Sequence, residues 1–230
     1  MKSEFICILL ARGGSKGLKG KNLLELGGKP LVQRALDVAI ASKVFSKVIL
    51  SSDDSKILAA GAKTLALIHK RSKLNSNDRS TSEDSICEVL ADYGIEQGTC
   101  CLMQCTTPFI STGDLKEIAR LASQNPLSTI VSGYVEDPHH WSLFENLKYL
   151  EPVFDVSKTR EPRQTNKMKI FVENGGVYVF AIPEFLVRRN RFMDTIVPHV
   201  MPKSRSVDID TIEDLDLARF YYGSNNSCDT

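Results

Sequence analysis

The chain has 230 residues, 42% of them hydrophobic, with 29 Lys and Arg against 28 Asp and Glu. That length suits one substantial α/β domain, and two full domains would be cramped. A net charge of +1 gives no global attraction to nucleic acid or an anionic membrane, so any phosphate affinity must be local. The apolar runs fall far short of the ~20 residues that span a bilayer, and no secretory pattern stands at the start. Six cysteines without paired metal-ligand spacing are expected to be buried thiols, Cys105 among them, in a soluble cytoplasmic protein.

Phe5 to Ala11 is apolar throughout, as expected of a parallel strand covered on both faces. It runs into Arg12-Gly13-Gly14-Ser15-Lys16-Gly17-Leu18-Lys19-Gly20-Lys21-Asn22. Gly13, Gly14 and Gly17 allow positive φ and close backbone approach, so successive N–H groups can form an anion-binding nest. Arg12, Lys16, Lys19 and Lys21 place four full charges in ten positions, which suits a triphosphate. A solvated glycine turn is the plainer alternative. Spacing excludes a Walker A loop, because Gly20-Lys21 is followed by Asn22. It also excludes the dinucleotide G-x-G-x-x-G pattern, because Ser15 and Leu18 occupy glycine positions.

Pro30 starts a helix whose apolar stripe is Leu31, Ala35, Val38 and Ala39. A strand follows at Lys47 to Leu50, then a short helix at Ser55 to Ala62 and a strand at Thr64 to His69. This β-α-β-α-β order predicts a parallel, doubly wound sheet with function beyond the carboxyl ends of its strands. Arg71 to Ser82 is a polar loop with Leu74 its one apolar residue, and capping boxes at Ser80/Glu83 and Thr81/Asp84 start a helix near Ser82. Thr99 to Gln104 is a further strand, Ser111-x-x-Asp114 caps a helix, and Ser128 to Val135 is a strand again. Periodicity then dissolves from Glu136 to Ile170, a length that is functional or an assembly arm. Phe171 to Phe180 reads as a strand, Pro183 to Arg189 as a helix, Ser206 to Asp210 as a short strand, and Thr211-x-x-Asp214 caps a helix to Tyr222. Gly223 to Thr230 is read as a disordered tail.

Asp208 and Asp210, two apart on that short strand, can share one hard cation such as Mg²⁺, or serve as caps of the last helix. Gln104 ends a strand at the same crevice as Arg12.

The run from Ala11 to Asn22, with Leu26-Gly27-Gly28-Lys29-Pro30-Leu31 after it, resembles the signature of the CMP-sialic acid synthetases, the acylneuraminate cytidylyltransferases. The likeness recurs at Arg71 to Ser82, Gln104 to Pro108, Glu173 to Tyr178 and Ser206 to Asp210. It implies a nucleotide-diphospho-sugar-transferase-like α/β domain over residues 1 to 222, with an inserted dimerisation arm at about 136 to 170. It implies a homodimer that joins CTP to a nonulosonic acid, releasing pyrophosphate, with Mg²⁺ at Asp208 and Asp210. By the same resemblance Arg12 and Lys21 stabilise the reacting phosphates, assisted by Gly13, Gly14, Ser15 and Lys16, and Asn22 holds the ribose. Arg71 and Ser82 contact the cytosine and its ribose-phosphate, with Asp78 holding their loop, where Ser72 replaces a common proline. Gln104, Arg163, Asn174, Tyr178 and Phe192 are implied at the sugar. The alternatives are a legionaminic, pseudaminic or Kdo cytidylyltransferase, or a non-catalytic nucleotide-binding subunit.

Overall fold

The structure, a computed structural model, describes residues 4–14, 17–77, 79–137, 140–143, 150–153, 157 and 169–226. Strand β1 (Phe5–Leu10) leads through a two-stranded hairpin, β2 (Glu25–Leu26) and β3 (Lys29–Pro30), into helix α1 (Leu31–Ser42). Then come β4 (Lys47–Ser52), α2 (Ser55–Gly61), β5 (Leu67–Lys70), α3 (Ser82–Asp92), β6 (Thr99–Met103), α4 (Thr112–Gln124) and β7 (Thr129–Glu136). A second hairpin, β8 (Trp141–Leu143) with β9 (Leu150–Pro152), precedes β10 (Ile170–Ala181), α5 (Ile182–Arg188), β11 (Ile196–Val200) and α6 (Ile212–Asn226).

Among the described residues a seven-stranded sheet has the order β11-β7-β10-β6-β1-β4-β5. Its neighbours are parallel except at β10, which runs antiparallel to both β6 and β7. The apolar run of β1 is explained by its position: Cys7 and Leu9 face a core shared with α1, α4 and α6, while Ile6 and Ile8 face a second core shared with α3 and α5. All four are fully buried, and each large aliphatic side chain so placed contributes about 1.5–3 kcal/mol. The predicted doubly wound architecture is therefore the observed one.

Several expectations are corrected. The strand predicted at Thr64 to His69 starts only at Leu67, because the Thr64 N–H and hydroxyl both donate to the Gly61 carbonyl and wind the end of α2 into a turn. Ser206 to Asp210 is not a strand; it crosses outside the sheet, tied by Ile209 N–H to the Thr106 carbonyl (2.9 Å). The strand in that part of the chain is β11, which sequence reading missed because Pro198 interrupts it and its outer residues Ile196 and Val200 are exposed. A proline is tolerated there because β11 is an edge strand. Helix α6 continues to Asn226, past the tail boundary expected at Gly223, and 227–230 lie outside the described residues. Of the predicted arm, β8 and β9 are described; most of it lies outside the described residues.

The predicted capping boxes at Thr81/Asp84 and Ser111/Asp114 form, whereas the one expected at Ser80/Glu83 does not, because Ser80 Oγ donates to the Leu74 carbonyl and Glu83 pairs with Arg191. Asp114 does more than cap α4: it accepts from Arg205 Nη1 (2.6 Å) and Nη2 (3.1 Å) and meets His199 Nε2 on β11 (3.1 Å). Burial alone would raise its pKa, but the bonds from His199, Arg205 and Ser111 outweigh that and hold the carboxyl far below the ordinary range. Because the folded pKa lies below the unfolded one, this stability is present above the unfolded value of about 4 and is lost as pH falls below it. Asp114→Ala is expected to cost about 3 kcal/mol in urea unfolding at pH 7. Asp114→Asn is expected to flatten the fall in stability below pH 4; an unchanged acid limb would assign that limb to other carboxylates.

Candidate active site

The connections on either side of β1 diverge. The chain leaves β1 through α1 to β4 on one flank, and the later strand β6 lies on the other, so the strand order reverses at β1. A crevice opens beyond the carboxyl ends at such a reversal. Here it is a cavity of about 450 Å³, floored by Leu10 of β1 and Leu102 of β6.

Arg12, Lys21, Asn22, Arg71, Ser82, Gln104 and Asp210 all line it, drawn from four separate stretches of the chain. Asn22 is buried and its Nδ2 donates to the Arg12 carbonyl (3.0 Å), so its side chain braces the glycine loop from within. Arg71 is 7% exposed; its Nε donates to Ser51 Oγ (3.2 Å) and its Nη2 to the Ser51 carbonyl (2.9 Å). Burial lowers its pKa, opposed by the charges of Asp53 and Glu88. Ser82 stands in the first turn of α3, where unpaired backbone N–H groups favour an anion.

Gly13, Gly14 and Gly17 do not use positive φ; Gly20 does, opening the short turn Lys21–Leu23. What Gly13 and Gly17 supply is room. A Cβ on Gly13 would sit 2.8 Å from Asp54, and one on Gly17 would sit 2.7 Å from the Asp210 carbonyl. The Gly13 N–H donates to Asp53 Oδ1 (3.0 Å), so a carboxylate holds part of the expected nest. Gly14 is exposed. Ser15, Lys16, Asp78 and Arg163 lie outside the described residues.

Lys21 Nζ meets Asp210 Oδ1 at 2.6 Å. With Asp210 66% exposed, the pair adds about 0–1 kcal/mol to stability, so its consequence is the placement of charge at the cavity rim. The last helix is capped by Thr211 and Asp214, which leaves the Asp208 and Asp210 side chains out of that role. Asp208 Oδ1 is buried with no hydrogen-bond partner among the described residues. Burial raises its pKa; Asp210 adds to the shift, while Thr106, close by, and Lys21 oppose it. A buried carboxylate oxygen left unpartnered beside a second carboxylate fits a hard divalent cation such as Mg²⁺.

The implied sugar-side residues divide. Tyr178 donates to Glu173 Oε1 (3.3 Å), and burial, reinforced by Glu173, pushes its phenol up to about 12, so it stays a neutral donor. Phe192 packs edge-on against its ring, with centroids 5.9 Å apart, and the Arg191 guanidinium lies 4.9 Å from the ring centroid. Asn174 is buried and committed to the protein: Oδ1 accepts from Ser132 Oγ (2.7 Å) and Gly176 N–H (3.0 Å), and Nδ2 donates to Ser206 Oγ (3.3 Å). It fixes the irregular turn of β10 and ties it to the segment that carries Asp208. Cys105 lines the cavity, but burial raises its thiol to about 12, which removes it as a nucleophile near neutrality.

Sequence reading missed Thr106, Asn75, Ser85 and Asp53. Asn75 lay inside the loop already singled out; Asp53 has no local signature, because its partner Gly13 is 40 residues away.

Residues 6–226 match the family model described as Cytidylyltransferase. The chain is 31% identical over 213 residues to the N-acylneuraminate cytidylyltransferase of Streptococcus agalactiae serotype V, a match covering 91% of this chain and 51% of that protein. It is 28% identical over 226 residues to the pseudaminic acid cytidylyltransferase of Campylobacter jejuni subsp. jejuni serotype O:2, covering 96% of this chain and 97% of that protein. The chain thus spans about half the length of the streptococcal relatives it matches. Among solved structures it is similar to a CMP:2-keto-3-deoxy-manno-octonic acid synthetase complexed with CTP, with TM-score 0.70, 16% identity, and coverage of 97% of this chain and 100% of that one. A 4-diphosphocytidyl-2C-methyl-D-erythritol synthase from Anaerococcus prevotii DSM 20548 gives TM-score 0.67 at 16% identity, covering 96% of each chain. At these identities the structural likeness shows the fold.

Gly175 adopts φ +67°, and a Cβ there would meet Asp208 Oδ2 at 2.8 Å. Gly175→Ala is therefore expected to lose about 1–3 kcal/mol of stability by thermal unfolding, from backbone strain and from displacement of Asp208. A variant as stable as the parent would show that the turn and Asp208 can both relax.

Proposed function

Because the chain belongs to the cytidylyltransferase family, we propose that it activates a nonulosonic acid, converting CTP and an N-acylneuraminate-like sugar into a CMP-sugar and pyrophosphate. The observation that carries this reading is the convergence of Arg12, Lys21, Arg71, Gln104 and Asp210 on one crevice at the strand-order reversal. The named relatives supply the substrate class, and a pseudaminic acid acceptor is a second reading favoured by a match that extends over 97% of that relative.

In this reading the sugar's anomeric C2 hydroxyl attacks the CTP α-phosphorus in line, a new P–O bond forms, the bond from the α-phosphorus to the α,β-bridging oxygen breaks so that pyrophosphate leaves with that oxygen, and the hydroxyl proton passes to solvent. Arg12 and Lys21 stand at the developing charge, an electrostatic task for which fixed cations need no reorganisation. Gly13, Gly14, Ser15 and Lys16 complete the phosphate loop. Arg71 and Ser82 hold the nucleoside end, and Asn22 serves the ribose by bracing the loop. Gln104, Tyr178 and Phe192 orient the sugar, with Asn174 supporting their turn and Arg163 pairing with the sugar carboxylate. Asp208 and Asp210 would hold Mg²⁺, which supplies charge neutralisation to the triphosphate when bound. A homodimer built on the 136–170 arm, working in the cytoplasm where CTP is made, completes the proposal.

The test is pyrophosphate release from purified protein with CTP and Mg²⁺ against neuraminic, legionaminic, pseudaminic and Kdo acceptors. Release with a nonulosonic acid is expected; CTP binding without turnover on any acceptor would favour a non-catalytic subunit. Lys21→Ala and Asp210→Ala are each expected to lower kcat by at least about a hundredfold with an unchanged fold by circular dichroism. Parental turnover in either variant would remove that residue from the chemistry.

A further inference from the structure

The cavity wall between Arg71 and Ser82 is not held by packing. Its one apolar residue, Leu74, is 78% exposed, yet Asn75 and Asn77 of this loop line the cavity. What fastens the loop is Glu88, on the side of α3. Glu88 Oε1 accepts from the Ser72 N–H (2.7 Å), and Oε2 accepts from Ser72 Oγ (3.1 Å) and Asn75 Nδ2 (2.5 Å). Three donors on one carboxylate form a charge-assisted set. One bond uses a backbone N–H that a proline at position 72 would lack.

One turn further along α3, Asp92 Oδ2 meets His69 Nε2 (2.9 Å), whose Nδ1 lies 3.0 Å from Ser51 Oγ. Ser51 in turn accepts from Arg71 Nε. Helix α3 thus steadies the Arg71 end of the wall through two side chains. His69, Glu88 and Asp92 come within 4.8 Å of one another as metal ligands do, but both Glu88 oxygens are already taken by the loop and the Arg71 charge lies close enough to interact with Glu88.

We propose that Glu88 is a positioning residue for the nucleotide, clasping residues 72–77 through Ser72 and Asn75 so that the wall stands before the ligand arrives. This rests on the nucleotide reading above. A wall already in place removes the ordering cost from binding, so its loss appears in affinity and not in the chemical step.

The experiment uses the full chain and three readouts: hydrogen exchange at the Ser72 amide without ligand, the Kd for CTP, and the split between KM for CTP and kcat. Glu88→Ala is expected to expose the Ser72 amide and to raise both Kd and KM about tenfold, with kcat within about twofold. Glu88→Gln, which keeps shape and one acceptor, should fall between. A Ser72 amide still protected in Glu88→Ala overturns the clasp. An exposed amide with parental CTP affinity overturns the positioning role. Parental protein that binds no CTP overturns the nucleotide reading, and the role with it.

Discussion

A parallel strand buried on both faces can offer polar chemistry only beyond its end, and β1 is such a strand. Its side chains are divided between two cores, so no position from Ile6 to Leu9 is free to serve a ligand. The same burial fixes β4 and β6 as its neighbours, and because these belong to opposite flanks of the winding, their following loops part at the carboxyl end. Everything assigned to the site hangs on that parting. The glycine loop leaves β1 there, and Gln104 stands immediately after β6.

The site's charged side chains are held by backbone groups, a serine and one another. Asp53 takes the Gly13 N–H, Lys21 meets Asp210, and Arg71 is buried against Ser51. Among the described residues Arg12, Lys21 and Arg71 bring positive charge to the crevice wall and Asp210 brings negative charge, with Asp53 and Asp208 close behind it. That arrangement suits a ligand that brings both an anion and a counter-cation, since neither sign of charge need be neutralised in advance.

Beyond the crevice, buried polar residues substitute for regular secondary structure. Asn174 secures the turn in β10 to the segment bearing Asp208, and Asp114 secures Arg205, just ahead of that segment, to α4 and β11. The Asp208–Asp210 stretch lies outside the sheet, so these side chains, with the Ile209 to Thr106 bond, stand where ladder hydrogen bonds would otherwise be. Glu88 does the same for the loop that follows Arg71. In each case a segment that lacks ladder hydrogen bonds is held by a carboxylate or carboxamide on a neighbouring strand or helix.

Local signals determined much of this: the unbroken apolar run of β1, the capping boxes at Thr81/Asp84 and Ser111/Asp114, the helix entry at Pro30 and the basic glycine loop are each legible within a few residues. Motif resemblance added Arg71, Gln104 and Tyr178, which no periodicity would have singled out. Tertiary structure alone decided that β10 runs antiparallel, that the proline-bearing β11 is an edge strand, and that Ser206 to Asp210 stays outside the sheet. It also decided that Asn174 is spent on internal bonds and that Glu88 holds a loop. The physical reason is common to all of these: periodicity and capping are interactions over one to four residues, whereas pairing direction and the partner of a polar side chain depend on chain segments tens of residues apart.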